Sequence, residues 1–254
     1  MGRVSRRESD ILPSAGFGGL RVEKLVYVVW KPMASTVEAF RDVLLEDCAG
    51  LLQDSGAQRL AVSVADEHVH YARGRVITHT EDPIAGVVCF WLGTHLDRAP
   101  AEEVIRRVTS RCAGYLVLES VPLENTSCRA PLGERTPGVN TIGFLEKPER
   151  LTYEQWLELW QGQHTRVAIE TQSTFLYVQN AVVRSVTEGA PPWVAIVEEG
   201  FPREALTDPN VFYDAGDSAA KLAENRRRMI ESCRRFIDFD RLESHVFSQY
   251  VISE

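Results

Sequence analysis

Leu25-Val26-Tyr27-Val28-Val29-Trp30 runs straight into Lys31-Pro32, and 116 positions later Thr141-Ile142-Gly143-Phe144-Leu145 leads to Lys147-Pro148. The same offset pairs Glu38 with Glu154, Phe40 with Trp156 and Leu44 with Trp160, then Leu60 with Leu176 and Val62 with Val178. Residue type and order hold from Lys31 to Val62 without a gap. A chain that repeats its pattern at a fixed spacing is expected to fold as like units stacked on each other.

Each half carries the same order of elements. In the first, Lys24–Trp30 is short, β-branched and aromatic, hence a strand. Ser35-x-x-Glu38 reads as a capping box, and Phe40, Val43, Leu44, Leu51 and Leu52 follow at helical spacing up to Gly56. Leu60, Val62 and Val64 alternate as on a half-buried strand. After the polar stretch Asp66–Pro83 come a strand at Ala85–Leu92, a helix at Pro100–Arg111 and a strand at Gly114–Val121. The second half repeats this with a strand at Thr141–Lys147 and a capping box at Thr152-x-x-Gln155. That box opens a helix to Glu170, followed by strands at Thr174–Arg184 and Trp193–Phe201. An irregular connection, Pro202–Gly216, precedes the helix Ser218–Phe236 and the last strand, Leu242–Ile252.

Both halves therefore read β-α-β-β-α-β, the ferredoxin-like order, and the fold class is α+β. A ferredoxin-like half covers one sheet face with helices and leaves the other bare. Two such repeats in one chain can pack sheet to sheet as an α+β barrel without a second subunit, with a concave space between the sheets as the expected ligand site. The expected organisation is a flexible tail at 1–22, a degenerate repeat at 23–124, a linker at 125–139 and a second repeat at 140–254.

Composition narrows the function. The 254 residues are 44% hydrophobic and 25% charged, an ordinary globular balance. A formal net charge of −8 argues against a nucleic-acid coat. Only four of the 28 basic residues are Lys, an Arg bias expected of a GC-rich, bacterial genome. No apolar run approaches the roughly 20 residues of a membrane span, and 1–21 has no signal-type apolar core. The five Cys are scattered, without Cys-x-x-Cys, so no disulfide framework and no structural zinc are expected, and a reducing cytoplasm is the simplest compartment. His68-x-His70 with His79 lacks a placed acidic partner and is not read as a metal site, and Arg226–Arg228 reads as a solvated helix face. Glycine fingerprints for nucleotides are missing.

The second half resembles an EthD-like domain of the dimeric α+β barrel superfamily. The resemblance rests on Lys147-Pro148, on Tyr153-x-x-Trp156-x-x-x-Trp160-x-x-x-His164, and on Tyr177-Val178-Gln179-Asn180. It covers Asn140 to Ile252. The first half departs at the decisive places, with Leu44 for Trp160 and Cys48 for His164. The resemblance implies a cofactor-free barrel that acts on, or holds, small organic molecules; relatives include polyketide cyclases, decarboxylases, cofactor-independent monooxygenases and chlorite- or haem-handling proteins.

The expected catalytic residue is His164, an imidazole beside aromatic surface that can serve as general acid or base. Trp156, Trp160 and His164 fall at i, i+4 and i+8, one helix stripe. Trp156 and Trp160 are the candidate substrate-binding residues on that stripe, although their spacing suits a helix–sheet core better, with one indole N–H at the pocket rim. On Thr174–Arg184, Leu176, Val178 and Val182 are expected to meet the helices, while Tyr177 and Gln179 face the space between the sheets and orient a ligand. Two function classes follow: a cofactor-independent enzyme for an aromatic or polyketide-like molecule, working as decarboxylase, cyclase or monooxygenase, or a non-catalytic ligand-binding or accessory barrel. The expected partner is a small organic ligand, not nucleic acid or membrane, and the protein is expected as monomer or homodimer.

Overall fold

The computed structural model describes residues 23–80 and 82–254; the expected tail, 1–22, lies outside the described residues. The strands are β1 (Glu23–Trp30), β2 (Gln58–Val64), β3 (Gly86–Leu92), β4 (Arg111–Leu123), β5 (Val139–Leu145), β6 (Leu176–Ser185), β7 (Ala195–Phe201) and β8 (Glu243–Val251). They close into one barrel in the order β1-β3-β2-β8-β5-β7-β6-β4. Each half thus contributes an antiparallel sheet, β4-β1-β3-β2 and β8-β5-β7-β6. The halves are sewn together by β2 with β8 and by β4 with β6, both antiparallel. Closure leaves no strand edge in need of a partner. The helices α1 (37–54), α2 (Ala99–Val108), α3 (153–171) and α4 (Ala219–Phe236) pack on the outside. Among the described residues no helix is long and apolar enough to cross a membrane.

The repeated Lys-Pro has a structural cause. Lys31 Nζ donates to the carbonyls of Pro32 and Ser35, and Lys147 Nζ donates to those of Pro148 and Leu151, at matching positions. Each ammonium ties off the turn between a strand and its helix. Thr152 and Gln155 form the expected capping box. In the first half the cap is Thr36, which accepts from the Ala39 amide, and not Ser35. Thr36 is the residue 116 positions before Thr152, so the repeat, more than the local motif, locates the cap. Both first helices contain a π segment, Val43–Cys48 and Glu158–His164.

The gap-free alignment breaks at the second strand. β2 has a register shift between Gln58 and Ala61, and Arg59 there has φ +50°, the mark of a bulge. One extra residue reverses every side chain that follows. Leu60, Val62 and Val64 pack under the helices with Phe40 and Leu44. On β6 the helix-facing residues are Tyr177 and Ala181, clustered with Trp156 and Trp160. Val182 belongs to the barrel interior. The expected assignment of faces on this strand is therefore inverted.

The space between the sheets is not an open ligand chamber through its middle. Ile142, Phe144, Trp193, Ile196, Phe247 and Tyr115 fill it as one buried cluster. Phe144 and Trp193 lie 4.5 Å apart, ring centre to ring centre. Toward one end the interior turns polar. Lys24 lies 2.5 Å from Glu119 and 3.5 Å from Glu198, and Asn180 donates to Glu198 at 3.0 Å. A buried lysine held between two carboxylates is tolerable only because its charge is paired.

Candidate active site

Polar groups gather instead between the C-terminal sheet and its helices. Thr141 on β5, Glu199 on β7 and Tyr177 on β6 are direct cross-strand partners, so their side chains form one row on the helix-facing side. The next row is Gly143, Val197 and Gln179. Chain neighbours aside, no atom lies within 4 Å of the point where a Cβ on Gly143 would stand, so open space borders the row. Trp160 from α3 is fully buried and packs in the same cluster as Tyr177.

Several of these groups lack partners. The Trp160 indole N–H and the Thr141 hydroxyl are buried without a hydrogen bond among the described residues. The polar ends of Trp160 and Gln179 lie beside the Tyr177 hydroxyl. Gln179 donates to Thr165 Oγ1 at 2.6 Å, and Thr165 donates to the Trp160 carbonyl at 3.1 Å, which braces the helix against the strand. Unpaired polar groups of this kind are costly in a core, so their convergence marks a place shaped for something other than packing.

Glu199 supplies the electrostatics. Glu199 is half-buried, and its carboxyl has no hydrogen-bond donor among the described residues. Burial pushes its pKa up to about 7. Burial, then the Glu199 charge, raises the Tyr177 phenol well above its ordinary value, so that it stays protonated. Cys233, on α4 above the row, is pushed up to about 12 by burial and by Glu199, and is no nucleophile at neutral pH. The arrangement is a carboxyl poised to take or give a proton at pH 7, facing neutral O–H and N–H donors.

The residues expected from sequence are distributed around this row. Trp160, Tyr177 and Gln179 are in it. Trp156 packs tilted behind Trp160, ring centres 4.9 Å apart, and donates its indole N–H to the Phe236 carbonyl, a core role. His164 is buried on the helix with Trp156 and Trp160, in a π segment from Glu158 to His164, and its ring packs against α4. There its Nδ1 lies 2.9 Å from Ser232 Oγ and its ring 4.7 Å from that of Phe236. The residue is 6% exposed, and burial pulls its pKa down to about 4. Enclosed in this way, it offers no axial nitrogen to an open slot, and these residues do not fit a haem. At the corresponding place in the first half, burial and Asp47 push Cys48 up to about 12. Glu199 was not singled out from sequence. The available signal is Glu198-Glu199 in the middle of an apolar strand, which must place one carboxylate on each buried face.

Among the described residues no three His, Cys, Asp or Glu side chains converge as a metal site. No known family pattern matches the chain, and no curated protein matches it either. Solved structures do. An anthrone oxidase-like protein is similar at 10% identity and TM-score 0.54, over 91% of this chain and 94% of its own. A dye-decolorizing peroxidase from Bacteroides thetaiotaomicron aligns at 10% identity and TM-score 0.46, over 92% and 94%. Chlorite dismutase from Candidatus Nitrospira defluvii aligns at 10% and 0.46, over 91% and 92%. At 10% identity the likeness to the anthrone oxidase-like protein speaks to the fold alone, an α+β barrel, here closed within a single chain.

Proposed function

We propose that the chain is a small-molecule enzyme that moves a proton on an apolar, aromatic or polyketide-like carbon acid in the cleft between the C-terminal sheet and helices. The observation that carries this reading is Glu199: a half-buried carboxyl without a hydrogen-bond donor among the described residues, its pKa raised to about 7 by burial, in register with Tyr177 and Thr141 and bordered by open space at Gly143. A general base works best when its pKa lies near the working pH. In the step, Glu199 carboxylate takes the proton of a C–H bond beside a carbonyl. The bonding pair moves into the carbonyl oxygen, and that oxygen accepts from the Tyr177 hydroxyl and the Trp160 indole. Donors already aimed at the developing charge need no reorganisation. Gln179, through Thr165, holds Trp160 in place, and Trp156 backs it.

The resulting carbanion serves cyclisation by attack on a second carbonyl, or direct reaction with dioxygen. Run in reverse, proton delivery from the Glu199 acid to carbon completes a decarboxylation. These are the decarboxylase, cyclase and monooxygenase chemistries of the sequence resemblance, and the base in this reading is Glu199 in place of His164. Deuterium exchange into the acidic methylene of anthrone, a polycyclic ketone of the right class, tests it. Wild-type protein should exchange faster than buffer, Glu199→Gln should lose roughly 10²-fold or more of that rate, and Gly143→Leu, which fills the open space, should lose binding. Saturable binding of anthrone with no exchange in wild type or variant would instead favour the non-catalytic, accessory barrel.

A further inference from the structure

A partly open pocket lies at the end of the barrel where β1 finishes and β3 begins; Val246 of its lining is the cross-strand partner of Thr141, so it borders the Glu199 row across β8 and β5 but is lined by none of that row's side chains. It measures about 840 Å³ and is roofed by the 3-10 segment Glu67–Arg75. That size suits a drug-sized organic molecule. Its lining is mostly apolar, with Trp30, Phe40, Val69 and Ile84, and its polar members include Arg73 and His245.

Two features make it a built site. The roof is pinned: Asp66, fully buried, accepts from Ser248 at 2.7 Å and Tyr250 at 2.8 Å on β8, and from the His68 amide at 3.0 Å. His245, also buried, is oriented by Glu243. Its Nε2 lies 3.0 Å from Glu243 Oε2, and the other carboxylate oxygen accepts from the His79 amide at 2.7 Å. A carboxylate only accepts, so Nε2 carries the proton and Nδ1 keeps its lone pair, with no hydrogen bond to any described residue. Arg73, exposed on the roof and facing the pocket, makes no ion pair among the described residues. Burial, opposed by Glu243, lowers the pKa of His245 and keeps Nδ1 an acceptor.

The lining also holds Lys31, whose ammonium is tied to the Pro32 and Ser35 carbonyls, and His70, Asp82 and Ser110; the apolar wall, the Arg73 guanidinium and the oriented His245 acceptor together point to a complement. We propose that this cavity is a second ligand site, for a small aromatic hydroxy acid, whose carboxylate pairs with Arg73 and whose hydroxyl donates to His245 Nδ1 while the ring lies against Trp30 and Ile84. The site is independent of the proposed chemistry at Glu199.

Isothermal titration with 3-hydroxy-2-naphthoate tests it, with 2-naphthol and naphthalene-2-methanol as uncharged controls. Saturable binding is expected for the acid, weaker by about tenfold or more in Arg73→Gln, whose melting temperature should not move because the side chain supports nothing. His245→Gln should weaken the hydroxy acid more than 2-naphthoate. Glu199→Gln should leave the affinity unchanged, which separates this site from the cleft. Absence of saturable binding, equal affinity for the uncharged controls, or loss of binding in Glu199→Gln would each overturn the assignment.

Discussion

Glu199→Gln is the substitution whose consequences the structure prescribes most fully. With a pKa of about 7 in the folded protein and the ordinary 4.5 once unfolded, Glu199 holds its proton in the native state over a range where the unfolded chain has released it. Below pH 4.5 both states are protonated and the group is neutral to stability. Between 4.5 and 7 the native state binds more protons, so stability falls as pH rises, and above 7 the full penalty is present. The difference of about 2.5 pH units corresponds to about 3 kcal/mol. Glutamine cannot ionise and escapes that penalty. Urea denaturation of both proteins should give similar stabilities near pH 4.5 and an advantage for Glu199→Gln of up to about 3 kcal/mol at pH 8. Turnover should move the other way, because the base is about one-tenth ionised at pH 6 and about nine-tenths at pH 8. Activity should therefore rise through pH 7 in wild type and be low and flat in the variant. A stability difference that is the same at pH 5 and pH 8 would show that Glu199 does not titrate near 7, and the proposed base would fall with it.

His164→Ala should cost about 1–3 kcal/mol through the lost Ser232 contact and Phe236 packing, and change turnover by less than about tenfold; a folded variant that loses 10²-fold would return the acid–base role to His164. Because burial holds the His164 pKa near 4, its contribution to stability should be complete above pH 6.5 and fade as the pH falls toward 4, and pH titration of the melting temperature should lose that component in the variant. Cys48, with its thiol pushed to about 12, should resist iodoacetamide at pH 8 in the folded protein, and Cys48→Ala should keep its activity. Lys24→Met strands Glu119 and Glu198 in the barrel and should destabilise by about 3–5 kcal/mol in urea titration, without touching the helix–sheet cleft.

The barrel itself was legible in the residues. Runs such as Leu25–Trp30, the Lys-Pro pair at 31 and 147, and Thr152 with Gln155 are local signals, read by the backbone within a few positions, and their recurrence specifies two like halves. What lay beyond local reach depended on counting residues through places where the backbone slips by one. The bulge at Arg59 puts β2 out of phase with β6, so Leu60 packs under the helices while Tyr177, and not Leu176, does so on β6, and His164, though buried on the helix with Trp160, packs against α4. Periodicity assumes an unbroken strand or an ideal α-helix, so a single extra residue inverts its answer about which side a residue faces. Glu199 is the other limit. Its letter is visible in the sequence, but its raised proton affinity comes from burial among groups far apart in the chain. Element order could be read from neighbours, whereas the chemistry of a carboxyl is set by what surrounds it, and only the tertiary structure brings that surrounding together.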